Sequence, residues 1–255
     1  IHPAGEHVPM ADAATYRLGL AADGFSPSLG WRDLVDPNGT LPDQLSVLWK
    51  FVVEKGAFES TPAIVAGVVY IGDLDGKVYA LDLQTGKARW EYATEGGFLA
   101  SPAVRDGRVY IGDYDGWFYC LDASDGKELW QFESEAQIDS GANFFKTNVL
   151  FGSQDATLYC LDAKSGKLVW KHQIQDQIRC TPTVVEGRCF VAGCDGQLHV
   201  IDLNQGKETA SVDIGAPTGV TPAAVGDRVF FDTEGSAFFC IDWKQTRIVW
   251  SFADE

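Results

Sequence analysis

Six carboxylates stand at short, recurring spacings. Asp73 and Asp75 lie in Asp-Leu-Asp-Gly, Asp113 and Asp115 in Asp-Tyr-Asp-Gly, and Asp155 and Asp195 at matching places further on. Gathered on one face, they would form a ring able to attract a cation or a basic partner surface. Asp-x-Asp-Gly also matches the opening of a calcium loop, but an EF-hand site spreads its ligands over about twelve residues and ends on an acidic side chain. Here a strand pattern starts directly after the glycine, as it does in a hairpin turn that uses Asp and Gly for backbone reasons. A partner-binding ring and a set of turn residues both remain open readings. The histidines are His2, His7, His172 and His199. None pairs with a nucleophile in the sequence, and neither a phosphate-cradling glycine loop nor a zinc-spaced cluster occurs. No catalytic residue, cofactor-binding residue or metal ligand is therefore assigned.

The elements that would position these groups repeat. Val109 to Trp130 reads VYIGDYDGWFYCLDASDGKELW, Val69 to Trp90 reads VYIGDLDGKVYALDLQTGKARW, and Val149 to Trp170 reads VLFGSQDATLYCLDAKSGKLVW. Cys189–Ala210 and Val229–Trp250 are looser copies. Tryptophans fall at 49, 90, 130, 170 and 250, with Ala210 in the remaining slot. A period near 40 residues with several short strands per unit predicts a β-propeller, one four-stranded blade per repeat. The middle strands are apolar on both faces (Val-Tyr-Ile, Phe-Tyr-Cys-Leu), as sheets stacked face to face require. The expected fold is all-β: a propeller of four-stranded antiparallel blades, with five complete repeats over about 60–93, 101–133, 141–173, 181–213 and 221–253. One extra N-terminal strand around Trp49 precedes them. Residues 1–44 read as an extended arm and loop, and 45–255 as the propeller. The first strands are expected to open on a Pro, as at Ser101-Pro102, Thr61-Pro62, Thr181-Pro182 and Thr221-Pro222, where no ladder hydrogen bond is lost, while the third copy has Gly141-Ala142. His199 occupies the slot of Tyr79, Tyr119, Tyr159 and Phe239 and is expected to pack between blades. His172, on an outer strand after Trp170, is expected to be exposed.

The net charge is −16. Such a surface repels phosphate backbones and there is no basic stripe to offset it, so nucleic acid is excluded as a partner class. No apolar run approaches the ~20 residues of a membrane span. Cys120, Cys160 and Cys240 share one repeat position and so lie in different blades, beyond the ~7 Å Cα separation that a disulfide tolerates. They read as small buried residues. Cys180 and Cys194 fall within one repeat, and a bridge between them is open. The chain begins at Ile1 without a signal peptide or initiator Met, which reads as a processed chain or a trimmed one.

The stretch Leu81-Asp82-Leu83-Gln84-Thr85-Gly86-Lys87-Ala88-Arg89-Trp90 and its equivalents resemble the tryptophan-docking motif of PQQ-type, quinoprotein-like propellers. That family includes quinoprotein alcohol dehydrogenases and the outer-membrane assembly lipoprotein BamB. The likeness covers about residues 45–255. In physical terms Asp82, Asp122, Asp162, Asp202 and Asp242 can each accept turn N–H groups. Gly86, Gly126, Gly166 and Gly206 supply positive φ, where the last copy has Thr246. Trp90, Trp130, Trp170 and Trp250 can bury an indole between blades. Ala210 is expected to leave one such junction weaker or packed differently. The resemblance implies a quinone held with calcium in the enzymes of the family. Those enzymes commonly carry an adjacent-cysteine disulfide, however, and no Cys-Cys pair exists here, so PQQ and calcium are disfavoured.

The lone strand at Trp49 leaves the ring's closure open among three forms: a small ring that uses the arm, part of a larger propeller, or an arc completed by another copy or another protein. The reading is a non-catalytic, protein-binding scaffold propeller outside the cytoplasm, in the periplasm or a comparable compartment. Its partner would meet the loops Glu95–Phe98, Glu135–Asp139, Gln175–Arg179 and Gly215–Gly219. The alternative is a quinone- or metal-dependent oxidoreductase or its accessory subunit.

Overall fold

The computed structural model describes residues 47–53 and 55–253; the expected arm, 1–44, with His2 and His7, lies outside them. Among the described residues twenty strands form five four-stranded sheets. Blade 1 holds β1 (Ala63–Val65), β2 (Val68–Gly72), β3 (Lys77–Asp82) and β4 (Ala88–Ala93). Blade 2 holds β5 (Ala103–Arg105), β6 (Arg108–Gly112), β7 (Trp117–Asp122) and β8 (Glu128–Glu133). Blade 3 holds β9 (Asn143–Phe145), β10 (Asn148–Gly152), β11 (Thr157–Asp162) and β12 (Leu168–Gln173). Blade 4 holds β13 (Thr183–Val185), β14 (Arg188–Ala192), β15 (Gln197–Asp202) and β16 (Lys207–Asp213). Blade 5 holds β17 (Ala223–Val225), β18 (Arg228–Asp232), β19 (Ala237–Asp242) and β20 (Arg247–Ala253). Strands pair antiparallel in chain order within each blade. In blades 1, 2, 4 and 5 the first strand begins one residue after the Pro, not on it, because Pro brings no N–H to the ladder, and in blade 3 it begins after Ala142. Asp106 and Gly107, both at positive φ, make the two-residue turn that joins β5 to β6.

The middle strands are buried on both faces, β2 and β6 among them. Their side chains form clusters that bridge neighbouring blades: Val78 and Ala80 of blade 1 pack with Val109, Ile111 and Leu121 of blade 2. Between the third and fourth strands every blade carries an irregularity at one place, for example at Cys120/Leu121 and Cys160/Leu161. The docking tryptophan follows it and faces a small residue: Ala80 opposite Trp90, Cys120 opposite Trp130, Cys160 opposite Trp170. Those cysteines are buried and free, as are Cys180 and Cys189, while Cys194 is free and half-buried, so Cys180 and Cys194 are not bridged.

Each docked indole crosses to the next blade. Trp90 Nε1 donates to Ala123 O at 3.0 Å, and Trp130 Nε1 donates to Ala163 O at 3.2 Å. The same indoles lie flat against a glycine. A Cβ on Gly126 would sit 2.6 Å from Trp90, one on Gly166 2.6 Å from Trp130, and one on Gly206 2.5 Å from Trp170. These glycines also hold positive φ, so two independent constraints select the residue. The turn aspartates complete the motif. Asp82 Oδ1 accepts the N–H groups of Gln84 and Thr85. The hydrogen bond from Arg89, then that from the Thr85 hydroxyl, brings the Asp82 carboxyl down to about 2.

Residues 47–53 lack a ladder partner among the described residues, yet they take the place of a blade's outermost strand. Trp49 Nε1 donates to Leu83 O at 3.0 Å, and a Cβ on Gly86 would lie 2.5 Å from its indole. Phe51 meets Tyr79 edge-on at 5.1 Å, as Tyr92 meets Tyr119 at 5.7 Å one junction later. At the opposite edge Trp250 is 46% exposed and Phe252 63% exposed.

The junction at Ala210 is packed differently, as the sequence allowed. Trp243 replaces the residue that elsewhere offers its carbonyl, and its indole turns onto the cluster that Ala210 borders. It lies edge-on to Phe190 at 5.5 Å, and its Nε1 donates to Gly226 O. Where the docked indole is missing, the glycine is missing too: Thr246 holds the positive φ in its place.

Two stability predictions follow from the docking geometry. Trp130→Ala should cost about 3 kcal/mol in urea unfolding, the usual scale for deleting a packed aromatic. Ala210→Trp restores the repeat pattern but should destabilise by about 1–3 kcal/mol, because Trp243 already packs there and Thr246 carries a Cβ. A stabilising Ala210→Trp would contradict the packing described.

Candidate functional site

The turns between second and third strands and the loops between blades share one face, because backbone hydrogen bonds tie them together. Tyr114 N donates to Gly97 O, Gln154 N to Gln137 O, Cys194 N to Gln177 O and Glu234 N to Pro217 O. This face carries all six acidic candidates, and the structure divides them. Asp73 is buried: its Oδ1 accepts Asp75 N and Lys77 N, and its Oδ2 accepts the Tyr79 hydroxyl at 2.7 Å. Asp113 repeats this with Asp115 N, Trp117 N and the Tyr119 hydroxyl at 2.8 Å. Burial raises the Asp113 carboxyl, against the pull of these bonds, and it raises the Tyr119 phenol together with Asp113 itself.

In blades 3 and 4 the first aspartate of the turn becomes Ser153 or Gly193, and the second takes over. Asp155 accepts Thr157 N, Glu135 N and the Tyr159 hydroxyl. Asp195 accepts Gln197 N and Gln175 N, and its Oδ2 lies 2.9 Å from His199 Nε2. In blade 5 the ring is Phe239, which offers no donor, and both acidic positions are absent, replaced by Thr233 and Gly235. Carboxylate and ring donor thus come and go together. Asp75 and Asp115 stand apart as exposed tips of the first two turns.

Between these turns lies a polar centre that the sequence reading covered only by loop range. Asp139 accepts Gln137 Nε2 on Oδ1 and Gln154 Nε2 on Oδ2 at 2.6 Å. Arg179 donates twice to Gln177 Oε1, at 3.0 and 2.7 Å. The Tyr114 phenol is raised by burial first, then by Asp139 and Glu59. Tyr114 and Gln154 were missed singly. Their signal was variation within the repeat, since the same turn position holds Leu74, Tyr114, Gln154, Cys194 and Glu234 in successive blades.

The chemistry open to this face is hydrogen bonding and charge recognition. Among the described residues no three His, Cys, Asp or Glu side chains gather as a metal site. Both Asp139 oxygens accept amide N–H groups from glutamine side chains. Burial pushes the Cys120 thiol up to about 11 and Cys160 and Cys180 up to about 12, which leaves them poor nucleophiles. His172, expected to be exposed, is half-buried instead and lies 3.8 Å from Glu208 on the neighbouring blade. Among the described residues no helix is long and apolar enough to cross a membrane.

Comparison with known proteins agrees with this architecture. BamB from Moraxella catarrhalis superposes with a TM-score of 0.75 at 22% identity, over 82% of this chain and 68% of that one. Quinohemoprotein alcohol dehydrogenase from Comamonas testosteroni superposes with a TM-score of 0.67 at 16% identity, over 78% of this chain and 43% of that one. At such identities these two likenesses concern the fold alone. The serine/threonine-protein kinase AfsK of Streptomyces griseus is 39% identical over 98 residues, 34% of this chain and 12% of the kinase. The family described as outer membrane protein assembly factor BamB matches residues 42–252. With that match spanning nearly every blade, the chain belongs to the BamB family of PQQ-type repeat propellers.

Proposed function

We propose that this chain is a non-catalytic scaffold, a propeller subunit of a larger extracytoplasmic complex that binds other protein. One observation carries the reading: the blade 5 face is apolar and uncovered by the described residues. Phe238, Ile248, Trp250 and Phe252 are each at least 40% exposed, whereas Trp90, at the same repeat position as Trp250, is 9% exposed under the next blade. Exposed apolar patches of this kind mark surfaces that meet protein. Another copy or another protein that presents a glycine-bearing docking turn would cover it as blade 2 covers Trp90. The polar centre at Asp139, Gln137 and Gln154, with the exposed Arg179 and the exposed tips Asp75 and Asp115, supplies a second contact surface. There the inter-blade loops Glu95–Phe98, Glu135–Asp139, Gln175–Arg179 and Gly215–Gly219 would meet a partner. Family membership supports an extracytoplasmic, periplasm-facing location, and the reading requires neither quinone nor calcium.

Native mass spectrometry of the whole chain, with an absorbance scan, tests this. Completion by a second copy predicts species above 27.8 kDa, reduced to 27.8 kDa by Trp250→Asp with Phe252→Asp. A wild-type chain that stays at 27.8 kDa at every concentration would overturn that completion. A retained quinone mass with matching absorbance would overturn the non-catalytic reading.

A further inference from the structure

One ring pair recurs at the blade junctions. Phe51 meets Tyr79, Tyr92 meets Tyr119 and Phe132 meets Tyr159, all edge-on with centroids at 5.1, 5.7 and 5.3 Å. At the junction of blades 3 and 4 the same two positions are His172 on β12 and His199 on β15. Two imidazoles, rings that can take up a proton, thus stand in place of the phenyl and phenol rings of the other junctions. Glu208 of β16 joins them: its Oε2 lies 2.6 Å from His199 Nδ1 and 3.8 Å from His172 Nε2. The other nitrogen of His199 faces Asp195, whose side chain is 4% exposed. A carboxylate only accepts, so both contacts of His199 are hydrogen bonds only when the ring carries two protons. The charged groups in ion-pair reach of the two rings are Asp195, from the β14–β15 turn, and Glu208, from β16. Within β12, His172 is the member of the cluster.

The chain of contacts does not stop at the junction. Asp195 Oδ2, which faces His199, also accepts the backbone N–H of Gln175 at 3.2 Å, at the head of the inter-blade loop Gln175–Arg179. Blade 3 provides an internal control. There Asp155 Oδ2 accepts Glu135 N at 3.0 Å and the Tyr159 hydroxyl at 2.6 Å, the same arrangement built on a phenol.

We propose that the junction of blades 3 and 4 is a proton-responsive joint, in which the run His172, Glu208, His199, Asp195 couples acidification to the anchorage of the Gln175–Arg179 loop. Uptake of a proton by His172 places an imidazolium beside His199 in a half-buried seam and divides Glu208 between the two rings. Burial, followed by the charge of His199, holds His172 below its ordinary value against the opposing pull of Glu208. The sign follows. With its folded value depressed, the unfolded chain binds more protons than the folded one as pH falls through the ordinary histidine range, so acidification weakens the joint and neutral pH restores it. The neighbouring junction of blades 2 and 3 has no such response.

Amide chemical shifts of the whole chain, followed from about pH 5 to pH 8, test the coupling. The Gln175 amide should move through a titration in that range while the Glu135 amide stays flat. His172→Phe, which installs the residue of the preceding junction, should remove the acidic part of the Gln175 transition. His199→Tyr, which keeps a donor to Asp195, should flatten it. The flat Glu135 amide in both variants reports that the fold is intact. A Gln175 amide as flat as Glu135 in the wild type, or a Gln175 titration unchanged in either variant, would overturn the proposal.

Discussion

An indole lying flat on a glycine is the contact on which the rest of this molecule depends. Trp49, Trp90, Trp130 and Trp170 each cover a glycine of the following blade, with no space for a Cβ between them. Sheets of three to seven-residue strands have little to hold them side by side other than face-to-face packing, and the indole extends that packing to the outermost strand. Its reach is set two steps earlier by the ladder irregularity before it and by the small residue opposite it. The pairing is reciprocal. Where Ala210 removes the indole, Thr246 appears in place of glycine, and Trp243 fills the seam from the other side. At Thr246 a positive φ alone does not require glycine; at Gly86, Gly126, Gly166 and Gly206 the close approach of an indole does.

The acidic face obeys a similar reciprocity. A carboxylate stands at the second turn wherever the inter-blade ring can donate to it, reaching from the first turn position in Asp73 and Asp113 and from the second in Asp155 and Asp195. Much of what looks like a ring of charge therefore secures turns and rings against each other. The polar centre, with Asp139 between two glutamines, lies among residues that the repeat does not dictate, as does the Arg179–Gln177 contact. Function in a repeat fold concentrates at such positions, where the scaffold places side chains without choosing them.

Most of the fold was legible in the sequence because its determinants are local and periodic. Turn glycines, doubly apolar strands and the Trp spacing each recur near forty residues and agree with one another. What was not legible depends on blades meeting in space. Trp243 reads as an ordinary turn residue until the seam that Ala210 leaves is seen. His172 reads as a surface residue on an outer strand until Glu208, far along the chain, is brought beside it. Tyr114 and Gln154 were visible only as departures from the repeat. Their convergence on Asp139 is a matter of where neighbouring loops end.

The central claim is that glycine and indole form one unit at each blade junction, and a double-mutant cycle on Trp130 and Gly166 tests it most directly. With the indole present, Gly166→Ala meets both the strained φ and the clash with Trp130; in the Trp130→Ala background only the strained φ remains. The account predicts that the cost of Gly166→Ala falls by about 1 kcal/mol or more in that background, a coupling well outside additivity. Costs that add to within about 0.5 kcal/mol would contradict it, and would leave the glycines as turn residues alone.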